Sequence, residues 1–169
     1  FAEADFPQLP QRDWTLLVQD VDKWDQDVRA LLAAFRFLPA WRLDDIMVSF
    51  AAPGGSVGAH VDQYDVFLLQ AHGHRRWQID SRPDAPQGFR PDVELKLLST
   101  FTPDHDWVLA PGDMLYLPPG VPHHGVAQDA GAALEGIQRR DLLARRARFE
   151  EPLLDLIELG LDVVEKREV

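Results

Sequence analysis

The run Gly54-Gly-Ser-Val-Gly-Ala-His60-Val-Asp62 and the later run Pro111-Gly-Asp-Met-Leu-Tyr-Leu-Pro-Pro-Gly-Val-Pro-His123-His124 decide how the rest of this chain is read. On an extended strand, alternation points His60 and Asp62 to the same side, one pleat apart, so one strand offers two metal ligands. A third arrives with His123, just after a Pro-Gly-rich turn that closes the apolar run Met114 to Leu117. Two imidazoles and one carboxylate on one face of a divalent ion leave part of its shell open, and iron, manganese, cobalt or nickel all suit such donors.

The length of 169 residues amounts to about one domain, and 46% hydrophobic content is enough for a core. The absence of cysteine removes disulfides and thiolate-held zinc or iron-sulfur sites, so any metal must be held by His and carboxylates. No apolar run is long enough to cross a bilayer as a helix, and no basic-then-apolar leader opens the chain; a reducing cytoplasm suits this composition. A formal charge of -11 repels polyanions, so direct nucleic-acid binding is not expected and a basic partner is. The chain begins at Phe1 rather than Met, and is read as a fragment, a processed form or the ordered part of something longer.

Outward from the two runs, the pattern is mainly β with flanking helices. Trp14 to Val18, Ile46 to Ala51 and Trp107 to Leu109 read as short strands, and Asp92 to Leu98 as a further one. Asp65 to Gln70 and Arg75 to Ile79 read as a hairpin turning at Gly73. Val21, Trp24, Val28, Leu31, Leu32 and Phe35 fall at helical spacing, which predicts one amphipathic helix from Val21 to Phe37 ended by Pro39. Short strands with frequent turns suggest a β-barrel or a double-sheet sandwich. From Ala132 to Val169 the Leu-, Arg- and Glu-rich composition predicts two helices broken at Pro152, a segment distinct from the barrel of residues 1–131. Arg139, Arg140, Arg145, Arg146 and Arg148 form a basic run there, read as a solvated helix face. His72, His74 and His105 read as solvated or core residues.

Gly54, five residues, His60-x-Asp62 and Gly73 together are similar to the first cupin motif, with Asp in place of the second His. Gly112, five residues, Pro118-x-Gly120, two residues, His123 matches the spacing of the second. With H-x-D and a distant His, the pair resembles the iron site of 2-oxoglutarate-dependent oxygenases with a JmjC-type cupin, a double-stranded β-helix (jelly-roll) barrel. Within that group, His60-Val-Asp-Gln-Tyr-Asp-Val-Phe-Leu-Leu-Gln, Arg75-Arg76-Trp77 and Pro118-Pro-Gly-Val-Pro-His123 resemble the bacterial ribosomal oxygenases, which hydroxylate an arginine on a large-subunit ribosomal protein of the L-sixteen type.

The resemblance implies Fe(II) bound by His60, Asp62 and His123, 2-oxoglutarate as co-substrate and O2 as oxidant. A buried guanidinium would grip the far carboxylate of 2-oxoglutarate. Arg75 fits, because it shares a face with Trp77 and Ile79; the other reading makes it half of an ion pair with Asp80 or Asp65. Ser49 could add a hydroxyl to the same carboxylate. Tyr64, Asp44, Asp45 and Asp65, close in sequence to the ligands or to their strand, are candidates for holding a basic substrate side chain. The resemblance also implies a homodimer, with residues 132–169 as the dimerisation region, although the family's next barrel strand after the distal His reads here as helix. The other function these residues allow is a metal-binding cupin that does not use 2-oxoglutarate, serving as a small-molecule sensor or scaffold.

Overall fold

The structure, a computed structural model, describes residues 7–139 and 163–164. In chain order its strands are β1 (Thr15–Val18), β2 (Leu43–Ala51), β3 (Val66–His72), β4 (Arg75–Ile79), β5 (His105–Leu109), β6 (Met114–Leu117), β7 (His123–Ala127), β8 (Gly131–Arg139) and β9 (Val163–Val164). They form a larger sheet of order β1-β2-β8-β3-β6-β9 and a smaller one of order β5-β4-β7. All pairs are antiparallel except β6 with β9.

Alternation divides the apolar residues between two cores. Val66 and Leu68 of β3 and Leu115 and Leu117 of β6 meet Trp77 and Ile79 of β4 and Leu109 of β5, and these side chains fill the space between the sheets. The intervening residues Phe67 and Met114 face the other way, where Ile46, Phe35 and Leu38 complete a second cluster under the helical segment. Burying each such side chain contributes about 1.5–3 kcal/mol.

Gly125 shows how tightly the smaller sheet is packed. It lies opposite Trp77 in the β4–β7 register, and a methyl group on it would stand 2.7 Å from the indole ring. Gly125→Ala is therefore expected to destabilise the fold by about 2 kcal/mol, as overpacking of a filled core does. A chemical denaturation midpoint equal to that of the parent would show that the indole has room to move.

Four expectations are corrected. The stretch from Val21 to Phe37 is not one helix: it holds a 3-10 turn at Val21–Lys23, a five-residue helix α1 (Gln26–Ala30) and a second 3-10 stretch at Leu31–Phe35. Asp20 adopts φ 60°, Asp22 is buried and its carboxylate accepts the Ile46 N–H at 2.9 Å, and Trp24 is 86% exposed. A tether to β2 thus replaces a helical face, and it falls where β2 slips register against β8 at Ile46.

The expected hairpin does not form either. β3 and β4 lie in different sheets, and the chain crosses between them through Gly73, whose φ of +69° favours glycine. His74, next along, is held by both oxygens of Asp129 at 2.6 and 2.8 Å. Residues 92–98 form no strand; Leu98 makes an isolated bridge with Phe89, and its N–H donates to the Ala59 carbonyl at 2.8 Å.

Finally, residues 132–139 are strand β8 rather than helix. Their backbone pairs with β2 along the strand and with β3 over residues 132–135; this ladder pairing outweighs the helical propensity of Ala, Leu and Glu. The barrel strand that the sequence reading missed is therefore present. Val163–Val164, expected in a helix, pair with β6. The remaining predicted C-terminal helix, its break at Pro152, most of the basic run and the proposed dimerisation region lie outside the described residues.

Candidate metal centre

His60, Asp62 and His123 offer three ligand atoms that all lie within 4.8 Å of one another. Asp62 Oδ2 is 3.5 Å from His123 Nε2 and 4.0 Å from His60 Nε2. His60 and Asp62 do not sit on a regular strand, as alternation alone predicted. Instead His60 forms an isolated bridge with His123, the N–H of each donating to the carbonyl of the other at 3.0 and 2.9 Å. The two imidazoles face each other with ring centroids 4.2 Å apart. Asp62 is placed by its own backbone, whose carbonyl accepts the Gly120 N–H at 2.7 Å in the turn before His123.

Each imidazole is oriented through its other nitrogen. His60 Nδ1 lies 2.9 Å from the Gly58 carbonyl and His123 Nδ1 lies 2.9 Å from the Val121 carbonyl. Only an N–H can serve these contacts, so both lone pairs sit on Nε2 and face Asp62. Burial, and then the neighbouring His60, push the His123 pKa down to about 3, which keeps that ring neutral and able to bind metal across the physiological range. His123 is 2% exposed, whereas His60 and Asp62 are 23% and 22% exposed. The site is closed on the core side and open on the other.

Below His123 the interior runs inward along β4. Ile79 is the register partner of His123, Trp77 of Gly125 and Arg75 of Ala127. The Trp77 and His123 rings are 5.9 Å apart, and the Arg75 guanidinium carbon lies 5.8 Å from the indole centroid. Arg75 is buried. Asp80 pairs with Arg82 at 2.7 Å, and Asp65 accepts the Tyr116 hydroxyl. Ser49 is fully buried on β2.

The four residues considered for a basic substrate divide. Tyr64 is half-buried at the mouth, and its pKa is pushed up to about 12 by burial and then by the charges of Asp62, Asp45 and Asp44; these groups share one electrostatic neighbourhood. Asp44 is exposed. Asp45 is buried and accepts the Asp20 N–H at 2.9 Å. Its pKa is raised by burial, with the nearby charges of Asp20, Asp44 and Asp22 adding to the effect. Asp65 is buried and accepts the Tyr116 hydroxyl. The sequence reading also assigns no role to Gln70, although a polar residue two places beyond Val66 and Leu68 on an apolar face is a visible signal.

Two packed sheets with two histidines and one carboxylate gathered at one end define a two-sheet β protein with a candidate metal site, whose three donors would leave part of a divalent ion's shell open. The JmjC domain family matches residues 30–139, and the chain belongs to that family. It is 46% identical over 122 residues to the ribosomal protein uL16 3-hydroxylase of Escherichia coli, covering 72% of this chain and 32% of that protein. It is 45% identical over 129 residues to a Haemophilus influenzae protein named "Probable ribosomal oxygenase", covering 76% and 32%. The chain thus spans about a third of the length of these curated relatives. Among solved structures, the E. coli ribosomal oxygenase YcfD in complex with cobalt and 2-oxoglutarate superposes with a TM-score of 0.71 at 32% identity, over 95% of this chain and 50% of that one.

Proposed function

We propose that this chain is the metal- and cosubstrate-binding core of an Fe(II)- and 2-oxoglutarate-dependent protein hydroxylase acting on an arginine side chain of a large-subunit ribosomal protein. The observation that carries the reading is the line of groups through the interior: His60, Asp62 and His123 at the mouth, Trp77 beside His123, and Arg75 beyond Trp77. Two imidazoles and a carboxylate suit a divalent first-row ion, and a buried guanidinium suits the far end of a dicarboxylate. Arg75 and Ile79 are about 13 Å apart along the strand, a span covered by a five-carbon diacid together with an arginine side chain. The E. coli relatives, one named for uL16 and one solved with 2-oxoglutarate, support the same reading. A cupin that binds metal without cosubstrate has no need of a cation at that depth.

When bound, Fe(II) and 2-oxoglutarate supply the oxidative decarboxylation by O2 that yields succinate and carbon dioxide and leaves one oxygen atom on a substrate carbon. The protein's share is placement. His60, Asp62 and His123 hold the ion at one edge, Arg75 draws the diacid down to its depth, with Ser49 as a hydroxyl donor to the same carboxylate, and the wall of Trp77, Ile79 and Leu117 excludes water. At the mouth, Asp44, Asp45 and Tyr64 provide negative potential and an aromatic face for a guanidinium. A ribosomal-protein target accords with a cytoplasmic location.

The test is incubation of the full chain with Fe(II), 2-oxoglutarate, O2 and a basic peptide from the ribosomal protein, followed by mass spectrometry. The expected result is a gain of one oxygen, mapped by fragmentation to arginine, with matching succinate. Oxygen found on another residue would move the target, and no succinate with any basic ribosomal peptide would remove the activity.

A further inference from the structure

We infer that Gln70 is a positioning residue for the far carboxylate of the cosubstrate, which it reaches through one bridging water; the inference rests on the 2-oxoglutarate reading above. Ser49 and Gln70 are both register partners of Ala133, one from β2 and the other from β3, so they occupy one row of the larger sheet and project from the same face. That face is the inner one. Val66 and Leu68, two and four residues before Gln70, pack there against Trp77 and Ile79 of the smaller sheet.

The interior is therefore layered. His123 and Ile79 lie at the mouth, Trp77 and Gly125 below them, and Arg75 and Ala127 deepest in the smaller sheet. On the larger sheet Leu68 and Leu115 are paired at the middle level, with Gln70 one step deeper. Only the four residues 71–74 separate the end of that step from Arg75. Arg75, Ser49 and Gln70, exposed by 5%, 0% and 2%, thus make a polar floor beneath apolar walls.

Gln70 is half-satisfied. Its Nε2 donates to the His72 carbonyl at 2.9 Å, which fixes the amide plane and which of its ends is the oxygen. Its Oε1 is buried and has no hydrogen-bond partner among the described residues, a condition that folded proteins rarely leave without water or ligand. An amide oxygen cannot receive anything from an ionised carboxylate, because both are acceptors. A water donating one hydrogen to each satisfies both, and its volume sets how far the diacid can descend.

The test compares the full chain with its Gln70→Leu, Gln70→Glu and Gln70→Ala variants. Each is loaded with Fe(II) under anaerobic conditions and titrated with 2-oxoglutarate and with 2-oxoadipate, one methylene longer, by visible absorbance. Gln70→Leu is expected to weaken 2-oxoglutarate binding about fivefold, the loss of one water-mediated hydrogen bond. Gln70→Glu is expected to weaken it by more than about tenfold through like-charge repulsion. Gln70→Ala, with space for the extra methylene, should narrow the preference for 2-oxoglutarate over 2-oxoadipate. Fe(II) affinity should stay at the parent value in all three, while the melting temperature falls by a few degrees, since each variant loses the amide hydrogen bond to the His72 carbonyl and Ala and Glu add a cavity and a buried acid. Variants that fold, bind metal and titrate with both diacids as the parent does would overturn the role of Gln70 alone. A parent chain whose absorbance ignores 2-oxoglutarate would instead remove the cosubstrate reading, and this inference with it.

Discussion

Asp62→Ala is expected to weaken Fe(II) or Co(II) binding by more than about a hundredfold, since losses up to that size follow from changing groups that merely orient a ligand. The substitution removes the sole anion of the three-ligand cluster, leaving two neutral imidazoles to compensate a divalent charge. The fold should survive, because Asp62 is 22% exposed at the open edge and the His60–His123 bridge is made by backbone. Anaerobic calorimetry, with Co(II) absorbance as a second readout, measures the affinity, and a melting curve checks the fold. An intact variant that binds either metal like its parent would show that the ion is held elsewhere. The same variant should form no succinate at any Fe(II) concentration near the parent's working range.

At the other end of the interior, Arg75→Met should raise the 2-oxoglutarate concentration needed for half-saturation by about a hundredfold or more, the usual scale for removing a buried, charge-assisted partner. Methionine keeps most of the side-chain volume against Trp77, so the change isolates the charge rather than opening a cavity. Metal affinity should move by less than about threefold, because the guanidinium lies beyond Trp77, away from the ligands. Parallel titrations of metal and of 2-oxoglutarate separate the two effects. Equal losses in both would mean that Arg75 supports the fold rather than the diacid, and no loss in either would place the far carboxylate elsewhere.

The two substitutions fall at opposite ends of one line of residues along β4 and β7. His123 is buried beside Ile79 and Trp77, while His60 and Asp62 keep exposed edges; on the proposed reading those edges are where cosubstrate and substrate would arrive. The acidic surroundings of Tyr64 lie on that open side. On the proposed reading, the acidic groups near Tyr64 would favour a basic side chain and the buried Arg75 an anionic diacid.

Much of this was legible without coordinates. His60, Asp62 and His123 were marked by glycine- and proline-anchored spacing, because sharp turns at fixed offsets leave few other ways to bring such ligands together. The inward direction of Arg75 followed from alternation with Trp77 and Ile79, and the structure places all three as buried. What misled the reading was local propensity. Ala132 to Arg139 looks helical by composition, yet it pairs with β2, and over residues 132–135 with β3 as well. The Val21 to Phe37 pattern looks like one helix, yet Asp22 trades helical continuity for a hydrogen bond to Ile46. In both cases the winning partners are distant in sequence.

The chain's own order of residues marked the three candidate ligands through the spacing of two glycine- and proline-anchored runs, and the inward arginine and the mainly β character through two-residue periodicity. Only the tertiary structure decided that β3 and β4 part into different sheets, that Asp65 accepts the Tyr116 hydroxyl, and that Ser49 and Gln70 share one row across β8. Those facts depend on which strand pairs with which. Such pairing is set by the burial and hydrogen bonding of the whole sheet, which no local stretch encodes.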